Sequence, residues 1–328
     1  MSAPVASTPV ASTQNAQPLR GLERAFLAPS PAARLALLRL LVGSFATIYL
    51  LARSPVLADF RSMAPSRFEP VGLAALLDVP LGSGLAFAIW AACVVLSFLF
   101  ALGARFAVTG PLAAIALLWV TSYRNSWGMV FHTDNLLVLH MLAIGAAPAA
   151  ADVLSVDAVR RGVASGSVAD DARYGWPVRL VTGLTVIAYV LAGIAKLKLS
   201  GLEWAEGEVL RSTIAHDAVR KAAVGSVYSP LGGWLVRYDW PFPLFGAFTF
   251  VVELGAPLAL LGGRWALAWA VAVLGFHVGV LATMAIAFPY PLSGIALASL
   301  IPLEKAPGRG IAFLEAACSR LARLPGLR

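Results

Sequence analysis

The stretch YVLAGIAKLKLSGLEWAEG, from Tyr189 to Gly207, begins as an apolar segment and ends among charged residues. A helix crosses the hydrocarbon core of a bilayer with about 20 mainly apolar residues, and the run 177–199 has that character. Lys196 and Lys198 lie near its far end, where an ammonium group is costly to bury in lipid. The stretch therefore predicts a membrane-spanning helix whose end carries polar residues that need an explanation.

The composition of the whole chain is that of a membrane protein. Of its 328 residues, 59% are hydrophobic and 13% are charged, whereas about a quarter of the residues in soluble domains are charged. The net charge of +8 comes from Lys and Arg placed between apolar segments and not from an extended basic surface, so we expect no nucleic-acid partner. The sequence contains no nucleotide-binding glycine motif, which gives nucleotide-driven transport no support.

About eight segments are apolar enough to span a bilayer. They predict an all-α fold, a polytopic transmembrane helical bundle, with spans near 34–55, 80–103, 106–123, 134–150, 177–199, 242–262, 265–287 and 289–303. We expect the transmembrane domain to cover 31–303. A disordered cytoplasmic tail is predicted over 1–30 and a short basic cytoplasmic tail over 304–328.

The distribution of positive charge predicts the orientation. Arg and Lys are more frequent at the segment ends on the side of both termini, which indicates that both termini are cytoplasmic. On the outer side, WAEGEVLRSTIAHDAV, which begins at Trp204, places apolar residues on about one helical face. An amphipathic helix in the membrane interface and a lid packed on the bundle explain this pattern equally well.

The two lysines of the opening stretch have different interpretations. Lys198 is best explained by snorkelling, in which its methylene stem lies in lipid and its ammonium reaches water. Lys196 lies deeper and follows AGIA, whose small residues allow close packing of helices. A lysine buried within a bundle loses its charge more readily and can act as a general base. From spacing alone, this role and snorkelling are equally favoured for Lys196.

A second group of polar residues lies in SYRNSWGMVFHTDN, residues 122–135, on the outer side. An interfacial loop is the ordinary explanation for its Trp and Tyr residues. His140 lies about two turns deeper than this segment, on the apolar run that follows it. The spacing of His132, Asp134 and His140 matches no standard zinc pattern, so we predict hydrogen bonding and no metal.

A third group comes from the last apolar segments. Glu253 in FTFVVELGAPLAL and His277 in GFHVGVLATMAIAFPYPL each stand alone in an apolar run. A buried acid must be protonated, paired or functional, and a Glu253–His277 pair between two spans would satisfy both side chains. FPYP, residues 288–291, breaks the helix at the outer boundary. The three polar groups are therefore expected to converge on one outer opening.

These segments, in this order, resemble the membrane domain of vitamin K-dependent gamma-carboxylase and its bacterial relatives, the horizontally transferred transmembrane (HTTM) family. The resemblance rests on SWGMVFHTDNLLVLHMLAIGAAPAAADVLSVD, VLAGIAKLKLSGLEWAEG and FHVGVLATMAIAFPYPL. The second segment is the most specific, because A-G-x-x-K-L is followed shortly by W-x-E-G. The resemblance covers the membrane region from about residue 30 to residue 303.

The resemblance implies a chemistry for the site. Lys196 takes the position of the base that deprotonates vitamin K hydroquinone or another reduced quinone, and His132 would orient the quinone-derived species. In the family, oxygenation of the resulting anion is thought to produce a strong base, which removes a proton from a peptide glutamate before carbon dioxide adds. The expected partners are membrane lipid and a small peptide or another glutamate-containing substrate. The pocket would be shaped by Asn125, Trp127, Glu253, His277 and Tyr290.

The sequence departs from the animal enzymes in two ways. Those enzymes have two adjacent lysines in the motif, whereas Ala195 precedes Lys196 here. They also carry a large lumenal domain, and we expect none after the last span of this chain. Two other functions stay open: a non-catalytic membrane partner in maturation, export or immunity of a small secreted peptide, and a proton-coupled transporter that uses Glu253 and His277 as relays.

Overall fold

The computed structural model describes residues 17–55, 63–128, 134–305 and 308–323. Within these ranges the named elements are all helices, which confirms the predicted all-α fold. Short 3-10 segments connect the α-helices. The α-helices are α1 (Gln17–Phe26), α2 (Ala32–Ala52), α3 (Ser83–Leu102), α4 (Phe106–Asn125), α5 (Asn135–Gly145), α6 (Val156–Arg160), α7 (Ala172–Ser200), α8 (Glu203–Glu206), α9 (Glu208–Ala223), α10 (Pro230–Leu235), α11 (Pro241–Leu254), α12 (Gly263–Met284), α13 (Pro289–Leu292) and α14 (Gly308–Leu321).

Most of the predicted spans correspond to apolar helices. In the described residues, α2, α3, α4, α7 and α12 are long and apolar enough to cross a membrane. Helices α5 and α11 are apolar but shorter, and the 3-10 segments Pro148–Ala151 and Ala256–Leu261 follow them. Backbone groups in lipid need internal hydrogen bonds, and both helical forms provide them.

The predicted last span, 289–303, is not one long helix. It consists of the single turn α13 and the 3-10 segment Ile295–Leu300. Pro289 and Pro291 fit the first turn of α13, where a missing N–H costs nothing, and Gly294 then takes a φ of 74° that ends it. Ala296 and Ala298 are nevertheless buried, so this segment packs inside the bundle without crossing the membrane as a regular helix.

Three clusters of buried apolar side chains occur in the described residues, and the two larger ones join the long helices. The largest cluster joins α2, α3, α4, α5 and the first half of α7. The second cluster joins the second half of α7 to α11 and α12, through Val186, Tyr189, Val252, Trp269 and Val273. Many large apolar residues on the outer surface of the long helices are exposed, as expected where the surrounding medium is lipid.

The terminal segments contain helices. The composition predicts a disordered tail over residues 1–30. The structure differs for Gln17–Phe26, which form helix α1. Residues 1–16 are not among the described residues. Helix α14 lies within the predicted basic tail. Between α14 and the bundle, Glu304 accepts two hydrogen bonds from Arg34, at 2.8 and 2.6 Å, which tie this end of the chain to the start of α2.

Helix α9, the lid helix, packs on the bundle. Ile214 on its inner face is 3% exposed. Near its end, Nζ of Lys221 donates a hydrogen bond of 2.6 Å to the carbonyl of Met284, the last residue of α12. The neighbouring Ser229 Oγ donates to the carbonyl of Ala282. These contacts hold the lid helix against α12, and its placement in the membrane interface stays a prediction.

Candidate functional site

A cavity of about 350 Å³, the lysine cavity, lies between the end of α7, the lid helix, α11 and α12. Its wall combines large apolar side chains with the ammonium of Lys196. Small-molecule sites commonly have this form, a mainly apolar concavity with a few placed polar groups. The apolar part of the lining includes Trp204, Leu210, Phe245, Phe248, Phe276 and Val280.

Lys196 is paired at the cavity wall. Its Nζ lies 2.6 Å from Oε1 of Glu253 and 5.4 Å from the centre of the Trp204 ring. The Lys196 side chain is 23% exposed and that of Glu253 only 3%. Lys198, by contrast, is exposed. The two lysines of the opening stretch therefore have different surroundings, with Lys196 on the cavity and Lys198 outside it.

Helix packing explains the spacing of A-G-x-x-K. Gly193 lies one turn before Lys196 and faces α11, where a Cβ would lie 2.7 Å from Cδ2 of Leu254 and 3.1 Å from Cβ of Glu253. Small residues let helices approach closely in membranes. Because position 193 has no side chain, α7 and α11 come near enough for Lys196 to reach Glu253.

The W-x-E-G motif also has a structural cause. Gly207 joins α8 to the lid helix with a φ of 90°, a left-handed conformation that favours glycine. A Cβ at Gly207 would overlap the backbone of Phe242 on α11. On the same helix, a Cβ at Gly246 would overlap the carbonyl oxygen of Trp204. These close backbone contacts fix α8 on α11 and hold the Trp204 ring beside Lys196.

Glu253 and His277 do not form the pair suggested by their positions in the sequence. Glu253 pairs with Lys196, and Nε2 of His277 lies 2.7 Å from the hydroxyl of Tyr189. The Tyr189 ring packs edge to face on Trp269, whose Nε1 donates to a backbone carbonyl of α11. His277 thus belongs to the apolar cluster that adjoins the lysine cavity.

Three polar atoms in this region have no hydrogen-bond partner in the described part of the chain. They are Oε2 of Glu253, Nδ1 of His277 and Nε1 of Trp204. Glu253 and His277 are only 2% and 5% exposed. An unsatisfied buried polar group costs about 1–3 kcal/mol. Of these three residues, Trp204 lines the lysine cavity, and Glu253 adjoins it through its contact with Lys196.

The remaining predicted residues of the 122–135 segment lie away from the lysine cavity. The Trp127 ring packs at 5.2 Å from Phe68, and Asn125 is buried at the end of α4. Neither residue lines the cavity. His132 lies outside the described residues, so its assigned role stays a prediction. The three groups of polar residues were expected to meet at one outer opening. The described residues of the 122–135 segment do not take part in such a meeting.

Tyr290 takes part in a different hydrogen-bond network. Its hydroxyl lies 2.7 Å from Nδ1 of His140, and Nε2 of His140 lies 3.0 Å from Oγ1 of Thr185. His140 is completely buried, and both of its ring nitrogens have partners. This agrees with the predicted hydrogen-bonding role of His140. The network joins α5, α7 and α13.

Asp134 is also part of a structural contact. Its carboxylate accepts hydrogen bonds from Tyr49 at 2.6 Å and from Arg124 at 2.5 Å. These contacts join α2 and α4 at the start of α5. Among the described residues, no group of three or more His, Cys, Asp or Glu side chains is arranged to hold a metal ion.

The cavity wall includes residues that the sequence does not single out. The ring of Trp204 lies over the Lys196 ammonium. Phe245 and Phe248 were not singled out, although their spacing of three places them on one face of a helix. Tyr189 was treated as part of an apolar run. Only the spacing of the phenylalanines was a signal available in the sequence.

Comparison with known proteins adds a family to this geometry. A family model described as the HTTM domain matches residues 27–300. The match covers most of the chain and includes the helices that form the lysine cavity. No curated protein and no solved structure matches the chain.

Proposed function

Because this chain belongs to the HTTM family, we propose that its lysine cavity binds a reduced quinone or another quinol-like lipid and that Lys196 is the base that deprotonates it. The observation that carries the proposal is that Lys196 lines an apolar cavity while its Nζ lies 2.6 Å from Oε1 of the buried Glu253. The chain would then be a multi-pass membrane enzyme with an intramembrane site.

The size and chemistry of the cavity support a ligand of this class. Cavities of about 300–1,000 Å³ commonly accept small organic molecules, and the lysine cavity measures about 350 Å³. Phe245, Phe248 and Phe276 offer contacts to an aromatic ring. Trp204 lines the cavity, and its unpartnered Nε1 can donate to a ligand oxygen.

Lys196 and Glu253 would act as one unit. If the pair holds a single proton and Glu253 carries it, the Lys196 amine is neutral and can accept another. When bound, the quinol supplies an acidic hydroxyl and an electron-rich ring that reacts with oxygen. Once Lys196 accepts the hydroxyl proton, the unit carries one positive charge, which balances the negative charge left on the ligand. Beside apolar side chains, such balance matters more than it does in solution.

Trp204 would assist Lys196 electrostatically. The face of an indole ring attracts a cation by about 0.5–2 kcal/mol, depending on how far the cation is desolvated. The Lys196 ammonium lies 5.4 Å from the ring centre. The Trp204 ring would therefore stabilise the positive charge that Lys196 gains during proton transfer.

We place the lysine cavity on the outer side of a bacterial inner membrane, with both termini cytoplasmic. Positive residues mark the cytoplasmic ends of membrane helices. Arg34, Arg105, Arg173 and Arg264 lie at or next to the starts of α2, α4, α7 and α12, whereas Lys196 lies near the end of α7. A small secreted peptide or another glutamate-containing substrate would then reach the site from outside.

The test uses the purified full chain in lipid nanodiscs with a reduced naphthoquinone. We expect the wild type to bind this quinol and to oxidise or epoxidise it with oxygen. Lys196→Ala should lower the rate by about a hundredfold or more, the usual size of a general-base effect. Lys198→Ala is the matched control and should keep the full rate. Full activity of Lys196→Ala would exclude the base assignment, and a wild type that neither binds nor oxidises the quinol would exclude the ligand class.

A further inference from the structure

A second concavity, the arginine cavity, lies where α4 and α7 begin, at the opposite end of α7 from Lys196. Its volume is about 260 Å³. Arg161 and Arg173 line it together with Asp152 and Asp157, and apolar side chains complete the wall. The proposed quinol site does not use these residues.

The two acidic residues of the arginine cavity are already engaged. The carboxylate oxygens of Asp157 each accept a hydrogen bond of 2.8 Å, from the backbone N–H groups of Arg105 and Phe106 at the start of α4. The carboxylate of Asp152 accepts a hydrogen bond of 2.9 Å from the Tyr174 hydroxyl. These contacts hold the negative charges in the wall in fixed positions.

The two arginines converge on Asp152 and keep donors to offer. Nη2 of Arg161 lies 3.5 Å and Nη2 of Arg173 lies 3.3 Å from its carboxylate oxygens. The two side chains are 49% and 57% exposed. Nη2 of Arg161 also donates to the carbonyl of Ala151 at 2.9 Å, and Nη2 of Arg173 donates to the Tyr174 hydroxyl at 2.6 Å. A guanidinium has five N–H donors, and these contacts and those with Asp152 all use Nη2. The other donors can bind a phosphate group, for which the planar guanidinium is well suited.

The surface next to the arginine cavity suits acyl chains. Ala107 belongs to the cavity wall, and Val108 follows it on α4. Val108, Leu112 and Ile115 are 60%, 48% and 52% exposed. Their spacing of four and three residues places them in one strip on a helix that spans the membrane. A concavity with two half-exposed arginines on its wall therefore leads into an apolar surface that faces lipid.

We propose that the arginine cavity binds the phosphate group of an anionic phospholipid, with Arg161 and Arg173 on the phosphate and the acyl chains along Val108, Leu112 and Ile115. Basic pockets at the cytoplasmic ends of membrane helices bind anionic headgroups in this way. The proposal is independent of the quinol site, because the two cavities lie at opposite ends of α7.

Native mass spectrometry of the full chain tests the proposal, with phosphatidylglycerol or phosphatidylcholine added in equal amounts. We expect the wild type to retain phosphatidylglycerol at least tenfold better than phosphatidylcholine. The double variant Arg161→Gln/Arg173→Gln should lose this preference by roughly tenfold or more, since each arginine near a membrane surface attracts anionic lipid appreciably. Arg264→Gln is the matched control, because it removes an exposed arginine from the start of α12.

A parallel titration with inorganic phosphate distinguishes two ligands that carry a phosphate group, the lipid headgroup and free phosphate. Displacement of phosphatidylglycerol by millimolar phosphate would support the phosphate site and assign it a soluble ligand. If Arg161→Gln/Arg173→Gln does not fold, two other measurements test the proposal. One is the preference of the wild type for phosphatidylglycerol. The other is lipid binding by the charge-conserving Arg161→Lys/Arg173→Lys, which we expect to be intermediate in strength. A wild type that shows neither lipid preference nor phosphate binding would overturn the proposal, as would a double variant that behaves like Arg264→Gln.

Discussion

Nζ of Lys196 and Oε1 of Glu253 lie 2.6 Å apart, although 57 positions separate the two residues in the sequence. Each of these groups alone would be costly in an apolar bundle, because a charge without a partner is poorly solvated there. Together they form a unit that is neutral overall. The stability of the second half of the bundle and the chemistry of the lysine cavity therefore depend on the same contact.

Glu253→Gln should destabilise the protein by about 2 kcal/mol. Removing one member of a buried pair costs about 3–5 kcal/mol, and the partial exposure of Lys196 reduces the expected value. Lys196→Met should also destabilise it. The double variant should lose less than the sum of the two, because the partners compensate each other. Unfolding in detergent, followed by circular dichroism, measures all three; strict additivity would argue against the pair.

Gly279→Leu should fill the lysine cavity. A Cβ at this position on α12 meets open space, and Gly279 lines the cavity. We expect binding of the naphthoquinol to weaken at least tenfold while the protein stays folded, since leucine favours a helix more than glycine does. Gly183→Leu on α7 is the control, because its Cβ also meets open space but lies outside the cavity lining. Equal binding by both variants would exclude the lysine cavity as the binding site.

Tyr290→Phe should destabilise the bundle by about 1–3 kcal/mol, because it leaves one nitrogen of the buried His140 ring without its partner. Tyr228→Phe, at a residue that is 46% exposed, should change little. The midpoints of thermal unfolding of the two variants give the comparison. Similar midpoints would mean that the His140–Tyr290 contact contributes no net stability.

Lys221→Met should loosen the lid helix. Lys221 donates to the carbonyl of Met284 at 2.6 Å and pairs with Asp217 at 2.8 Å. Without these contacts, amides of α9 should exchange with deuterium several-fold faster, while those of α3 should keep their rates. The control is Arg237→Met, at an exposed residue of the same outer loop. Unchanged exchange in α9 would show that other contacts hold the lid.

The pair Arg34–Glu304 should make stability depend on pH. Hydrogen bonding to Arg34 holds the pKa of Glu304 below its ordinary value, although burial opposes this effect. The stabilisation is therefore fully present above the pKa of an unfolded glutamate, about 4.3, and is lost as the pH falls through the lowered pKa of the folded state.

The measurement compares the unfolding midpoints of the wild type and Glu304→Gln between neutral and acidic pH. The difference should be largest at neutral pH and should shrink in acid. Glu69→Gln, at an exposed residue, should follow the wild-type curve. A difference between wild type and Glu304→Gln that grows in acid would contradict the assigned sign.

Much of the fold follows from local properties of the sequence. The apolar runs predict membrane helices because lipid tolerates only segments whose backbone groups are bonded internally, and α2, α3, α4, α7 and α12 agree with them. The segment 289–303 shows the limit of this argument. Its residues are apolar enough for a span, but prolines and Gly294 divide it into short turns that are buried by neighbouring helices.

The site was only partly predictable. Lys196 stood out because a charge is rare in an apolar run, and Glu253 and His277 stood out for the same reason. Their partners could not be assigned, because an apolar run does not reveal which neighbour its single polar residue meets. Trp204 and Tyr189 gave no such signal, since aromatic residues are common both at membrane interfaces and inside bundles.

The sequence by itself determined that the chain lies in a membrane as a helical bundle, and that Lys196, Glu253 and His277 needed partners. It could do so because hydrophobicity and charge are properties of single segments. Only the tertiary structure decided that Glu253 meets Lys196 and that His277 meets Tyr189. The physical reason is that these contacts depend on how closely α7, α11 and α12 approach one another. A glycine such as Gly193 permits a close approach, but only the tertiary structure decides which helix lies opposite it.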